Sequence, residues 1–108
     1  LSDLLDPWQP AVLQVIGHAC EGAKAAGKPM GVCGEAGGDP LLALVLAGFG
    51  VGSLSMAPSK VGLVRFALSL HDLATCHGMA TVAIEARTAA SARDAVLALA
   101  HPDLSALL

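Results

Sequence analysis

Between residues 29 and 56 the chain spells two short apolar strands with a helix start between them, and that order confines it to an α/β arrangement. Pro29-Met30-Gly31-Val32 reads as the first strand, continuing to Cys33, and Val51 to Met56 reads as the second. Asp39-Pro40 reads as a helix N-cap followed by proline at the first helical position, where a missing N–H costs nothing. The helix is expected from Asp39 to about Ala47, within the apolar run Leu41 to Phe49, which Gly48 and Gly50 break and which carries no polar side chain. A short helix that is apolar nearly all round must be enclosed, between a sheet and neighbouring helices. Strand, helix and strand in this order predict two parallel strands, adjacent in the sheet, joined by a right-handed crossover.

The segment Gly31-Val32-Cys33-Gly34-Glu35-Ala36-Gly37-Gly38-Asp39-Pro40 places one cysteine where the first strand ends. In α/β folds, ligands bind at the carboxyl ends of parallel strands. A free thiol, with an ordinary pKa of roughly 8.5, is mostly protonated at neutral pH, so it can give a proton as well as attack. The plainer reading of a lone cysteine is a small buried hydrophobe. Glu35 either orients the cysteine loop or bonds nearby backbone. Gly34, Gly37 and Gly38 ahead of a helix could cradle a phosphate. A carboxylate at position 39 would repel one, so turn geometry is the better reading of these glycines.

Composition excludes several function classes. The six cations, Lys24, Lys28, Lys60, Arg65, Arg87 and Arg93, are scattered along a chain of net charge −3, which leaves no electrostatic footprint for nucleic acid. They read as solvated faces. Apolar residues make up 55% of the chain, yet no run approaches the ~20 residues that span a bilayer. No basic head precedes an apolar stretch at the start, as a secretory signal would require. Cys20, Cys33 and Cys76 form no C-x-x-C pair, which favours free thiols in a reducing cytoplasm.

Outside the strand–helix–strand core the chain reads as helices. Pro10 to about Ala26 carries Val12, Val15, Ile16, Ala19, Cys20 and Ala23 at helical spacing, with Gly27 as a stop, and Cys20 falls on the apolar stripe. Trp8, after Asp6-Pro7, is expected to pack a loop against that helix. Pro58-Ser59 opens a helix through Leu68. Ser69-Leu70-His71-Asp72 reads as a capping box with Asp in place of Glu, opening a helix towards Ala86. Thr81, Val82 and Ile84 would suit a strand locally, but the surrounding alanines favour helix. A last helix runs from about Ala89 to Ala100 and ends at His101-Pro102. Cys76-His77 invites a metal reading, but adjacent helical positions face different directions and no second pair lies near.

Cys33-Gly34-Glu35, Gly38-Asp39-Pro40, the Leu-rich helix, Gly50-Val51 and Leu54-Ser55-Met56-Ala57-Pro58 together resemble the phosphoenolpyruvate-utilising enzymes, and within them the phosphoenolpyruvate-protein phosphotransferases, enzyme I of the sugar phosphotransferase system. Leu1-Ser2-Asp3-Leu4 and Pro10-Ala11-Val12-Leu13 fit the same family. The likeness is good from Leu1 to about Leu68 and weaker beyond. It implies an α/β fold: the last two strands and helices of a (β/α)₈ phosphoenolpyruvate-binding barrel over residues 1–68, then C-terminal helices over residues 69–108. Two strands where a barrel needs eight, and a start at Leu1, fit a C-terminal fragment of a larger domain.

The resemblance also implies chemistry. Cys33 would be the catalytic acid that protonates the enolate left when phosphoryl departs from phosphoenolpyruvate. The family's phosphorylated histidine lies in another domain, and His18, His71, His77 and His101 do not sit in its motif. Mg²⁺ would be held by carboxylates upstream of Leu1, so none of this chain's residues is expected as a metal or cofactor ligand, and the fragment alone would be inactive. The implied partners are phosphoenolpyruvate and pyruvate, the phosphocarrier protein HPr, and a second copy of the parent in a homodimer; nucleic acid and membrane are not expected. Two alternatives stay open. A pyruvate phosphate dikinase-type enzyme shares the paired glycines before Asp-Pro, although Ala36 replaces its expected histidine. A non-catalytic helical oligomerisation module is the other.

Overall fold

The computed structural model describes residues 6–33 and 35–108; Leu1-Ser2-Asp3-Leu4 and Gly34, and the Glu35 side chain, lie outside what is described. Elements follow in the order α1 (Pro10–Ala25), β1 (Gly31–Cys33), α2 (Glu35–Gly38), α3 (Pro40–Phe49), β2 (Ser53–Ser55), α4 (Pro58–Ser69), α5 (Leu73–Glu85), α6 (Ala89–Leu99) and α7 (Pro102–Ser105). The two strands are adjacent and parallel, with Gly31 opposite Ser53, Val32 opposite Leu54 and Cys33 opposite Ser55. Both are shorter than the sequence suggests. Pro29 has no N–H to pair, and only one further bond, Gly52 N–H to the Met30 carbonyl at 2.8 Å, extends the ladder.

The centre of the molecule is α3. Asp39 caps it, as expected, and Leu41 to Leu46 are all sealed from solvent. Gly50 ends it in the left-handed region at φ 96°, which an L side chain resists, and so turns the chain into β2. α5 packs along one side of α3, presenting Cys76, Met79, Ala80 and Ala83, which recur at helical spacing. That periodicity settles residues 79–84 as helix. At the crossing of the two helices stands Gly48, where a Cβ would overlap the Cys76 carbonyl and lie 3.1 Å from the Ala80 Cβ. Trp8, Leu13, Ala92, Val96 and Leu104 complete a core that contains no buried polar side chain among the described residues.

Several sequence expectations are corrected. The buried residues of α1 are Pro10, Leu13 and Cys20, with Ile16 half-buried against the core as expected, while Val15 is 68% exposed. The helix turns only a narrow face inward, where Gly17 lets the Phe49 ring approach. Ser69 opens no capping box: it is the last residue of α4, and its hydroxyl bonds the Phe66 carbonyl at 2.7 Å. Asp72 caps α5 alone, accepting the Thr75 N–H at 2.8 Å. The Thr75 side chain, its backbone N–H and His71 hold the Asp72 carboxyl below the usual carboxylate range. A capping box does occur later, between Thr88 and Ser91 at the start of α6. His101-Pro102 ends α6 but also opens α7, whose cap is the His101 ring accepting the Asp103 N–H. The His101 N–H in turn donates to His71 Nε2 at 3.0 Å, while His71 Nδ1 lies 2.6 Å from the Ala67 carbonyl. One imidazole, with its proton on Nδ1, thus ties the end of α4 to the turn between α6 and α7. Five of the six cations are exposed, but Arg93 is half-buried.

The helix crossing yields a stability prediction. Gly48→Ala forces α3 and α5 apart and should cost about 1–3 kcal/mol, more than its gain in helix propensity. Gly62→Ala, where a Cβ meets nothing within 4 Å, should instead gain roughly 0.5–1 kcal/mol. Urea denaturation of the two variants checks the opposite signs.

Candidate functional site

Period-two alternation divides the strand pair into unlike faces. Val32 and Leu54 turn inward and pack against the core. Gly31, Cys33, Ser53 and Ser55 occupy the other face and are exposed. All four are small, so that face is low and open. A Cβ at Gly31 would stand 2.6 Å from the Ser53 hydroxyl oxygen, so a larger residue there would turn the Ser53 side chain aside. Cys33 ends β1 on this face, in register with Ser55, at the carboxyl end of both strands.

The helix that follows Cys33 in the chain, α2, packs closely on the strand ends. Glu35 opens the four-residue helix α2, which the sequence does not announce. Gly37 is buried, and a Cβ on it would meet the Ser55 carbonyl at 3.0 Å and the Val32 carbonyl at 3.5 Å. Gly38 admits the Lys60 stem, whose Cγ lies 3.2 Å from where its Cβ would be. Neither glycine has a positive φ. For Gly37 and Gly38 the turn-geometry reading is therefore corrected: both serve close approach, and a side chain on Gly37 would press α2 away from the strand carbonyls, while one on Gly38 would displace the Lys60 stem.

Asp39 fixes the far end of the loop. Its Oδ1 accepts the N–H groups of Leu41 at 3.0 Å and Leu42 at 3.3 Å. Its Oδ2 accepts the Trp8 indole N–H at 3.0 Å. Trp8 is only 6% exposed and reaches across from the turn Asp6–Gln9, in which the Trp8 N–H bonds Asp6 Oδ1 and the Gln9 N–H bonds the Asp6 carbonyl. Instead of merely packing a loop on α1, it joins two remote parts of the chain. The sequence pairing of Trp8 with Asp39 carried no local signal. A cavity of about 760 Å³ opens beside this junction, walled in part by Asp39, Met56, Lys60 and Arg93; Cys33 is not on its wall.

The three thiols are all free and sit in contrasting places. Cys20 and Cys76 are buried in the core, and burial pushes both thiols up, with the Asp72 carboxylate adding to the effect on Cys76. Cys33 is exposed. Among the described residues no group of three or more His, Cys, Asp or Glu side chains is placed to hold a metal ion, and no helix is long and apolar enough to cross a membrane.

Comparison with known proteins identifies the family. Residues 1–73 match the family model described as PEP-utilising enzyme, PEP-binding domain. The chain is 50% identical over 99 residues, 92% of its length, to the phosphoenolpyruvate-protein phosphotransferase of Streptomyces coelicolor, of which this covers 18%. It is 41% identical over 65 residues to the enzyme of the same name from Cupriavidus necator, covering 60% of this chain and 11% of the relative. A phosphoenolpyruvate synthase of Pyrococcus furiosus is 38% identical over 65 residues, 60% of this chain and 8% of the relative. The chain belongs to the family of phosphoenolpyruvate-utilising enzymes, and it spans less than a fifth of the length of these relatives.

Thiol accessibility gives a direct check. Alkylation requires thiolate, and a raised pKa lowers the thiolate fraction at any given pH. In the native protein iodoacetamide should modify Cys33 about tenfold or more faster than Cys20 and Cys76. Labelling of the two core thiols should rise only at higher pH or in denaturant, where all three become comparable; peptide mass spectrometry reads each site separately.

Proposed function

We propose that this chain forms the last two strand–helix units of a (β/α)₈ barrel in a phosphoenolpyruvate-protein phosphotransferase, and that Cys33 is the acid acting on the product carbon. The observation that carries the reading is the position of Cys33: an exposed thiol at the carboxyl end of a parallel strand, on the open face of the sheet. That is where α/β barrels assemble their active sites. The family match and the relatives named above supply the substrate class.

The chemistry follows from the substrate. A histidine nitrogen of the enzyme attacks the phosphorus of phosphoenolpyruvate, the bridging P–O bond breaks, and its electron pair leaves the enolate of pyruvate. Negative charge then resides partly on the methylene carbon. The Cys33 S–H bond breaks towards that carbon, a C–H bond forms, and the sulfur keeps the electron pair as thiolate until solvent returns a proton. Protonation traps the product as pyruvate and makes phosphoryl transfer hard to reverse. A thiol suits the step because its pKa lies near the working pH, where an acid–base group is most effective. In the reverse direction the thiolate takes a proton from the pyruvate methyl group.

The family reading adds Mg²⁺, which would neutralise charge on phosphate and enolate oxygens. The described residues of this chain offer no ligand set for it, and the proton transfer at Cys33 does not pass through the ion. Carboxylates elsewhere in the whole protein would hold it. The phosphohistidine would pass its phosphoryl group to HPr, and the whole enzyme would act as a dimer in the cytoplasm. A synthase- or dikinase-type enzyme of the same family would leave the role of Cys33 unchanged. Following phosphoryl transfer to added HPr separates the two.

In the full-length enzyme, Cys33→Ala should lower turnover by ~10²–10⁴, the range for losing a general acid–base group, with phosphoenolpyruvate binding nearly unchanged. The direct measurement is exchange of pyruvate methyl hydrogens with deuterated solvent. Exchange at the normal rate in Cys33→Ala would take the acid role away from Cys33.

A further inference from the structure

We infer that Trp8 is a positioning residue for Cys33, acting through Asp39. This rests on the reading of Cys33 as the proton donor and adds a residue to which neither that reading nor the family match gives a role. The indole of Trp8 is a donor only, and when buried it needs an acceptor. The acceptor it has is one oxygen of the carboxylate whose other oxygen caps α3. Among the described residues this is the only side chain–side chain hydrogen bond between distant parts of the chain.

The mechanical consequence follows from the short span between the two anchored points. Cys33 is held by the ladder of β1, and Asp39 by its bonds to Trp8, Leu41 and Leu42. Between them lies α2, pressed on the strand ends by Gly37 and on the Lys60 stem by Gly38. A carboxylate free to change rotamer at Oδ2 would let the α2–α3 junction shift, and with it α2, whose Gly37 lies against the Val32 and Ser55 carbonyls at the strand ends beside Cys33. The indole N–H removes that freedom from the side opposite the helix cap. A general acid must stand within hydrogen-bond reach of the carbon it protonates, so displacement lowers rate without altering substrate affinity.

The test uses the full-length enzyme. Trp8→Phe keeps an aromatic ring in the core and deletes the N–H. It should lower kcat and the rate of solvent exchange into the pyruvate methyl group by about tenfold, while the KM for phosphoenolpyruvate and single-turnover formation of phosphohistidine stay within about twofold. Asp39→Asn keeps an oxygen for the cap but turns an amide towards the indole, so it should show the same deficit. The double variant should be no slower than either single one, because both remove one interaction. If Trp8→Phe does not fold, Asp39→Asn carries the test alone. Normal exchange in folded Trp8→Phe or Asp39→Asn overturns the inference, as does an equal loss in phosphohistidine formation. A dead Cys33→Ala beside a normal Trp8→Phe removes only the role of Trp8, whereas a normal Cys33→Ala removes the proton-donor reading itself.

Discussion

Leu41 to Leu46 are buried without a break, so α3 has no face to give to water and every other element must take a place around it. Such a helix cannot be stable alone, because helices gain most of their stability in proteins from packing. Each neighbour therefore has to come close. α5 does so through the gap at Gly48, α1 sends in Leu13, and α6 and α7 bring Val96 and Leu104 to the same core. The strand pair depends on this arrangement as well. Strands of three residues hold few hydrogen bonds, and Val32 and Leu54 stay in register because their side chains find apolar partners beneath the sheet.

The same enclosure explains how the chain treats its three thiols. Cys20 and Cys76 lie on faces that helices must bury, and there a thiol behaves as a small apolar group with its ionisation suppressed. Cys33 lies on the opposite phase of the strand alternation from Val32 and Leu54. A slip of one residue in the β1–β2 pairing would turn the thiol into the core and Val32 into the open. The hydrophobic pattern of six residues thus decides which cysteine is available for chemistry, without any group having to contact it.

Much of this was legible in the sequence because it is written in local signals. Asp39-Pro40 marks the start of α3 by capping, whereas Gly48 reads as a break although α3 runs through it to Phe49 and ends at Gly50; the parallel, adjacent strands follow from strand, helix, strand in close succession. The position of Cys33 at a strand exit was equally plain. What escaped are features that depend on partners far along the chain. Val15 fits a helical stripe as well as Leu13 does, and only the actual neighbours show that α1 turns inward along Leu13, Ile16 and Cys20. Gly37 and Gly38 look like turn residues in sequence, whereas their purpose is contact with Ser55 and Lys60, residues that lie beyond the intervening helix. The Ser69 capping box failed because α4 holds that serine in its own last turn, leaving Asp72 to cap α5 alone.

Asp39 shows why local legibility has this limit. Read in sequence, it is a complete explanation in itself, an aspartate before proline at a helix start. One oxygen is enough for that role, as Oδ1 demonstrates by accepting from both Leu41 and Leu42. A carboxylate has a second oxygen, and at a partly buried position that oxygen also needs a donor. Serine, threonine or asparagine would cap the helix as well, but none of them offers a second acceptor oxygen in that place. The choice of aspartate over the other capping residues is therefore explained by Trp8, which is thirty-one positions away in the chain and 3.0 Å away in space.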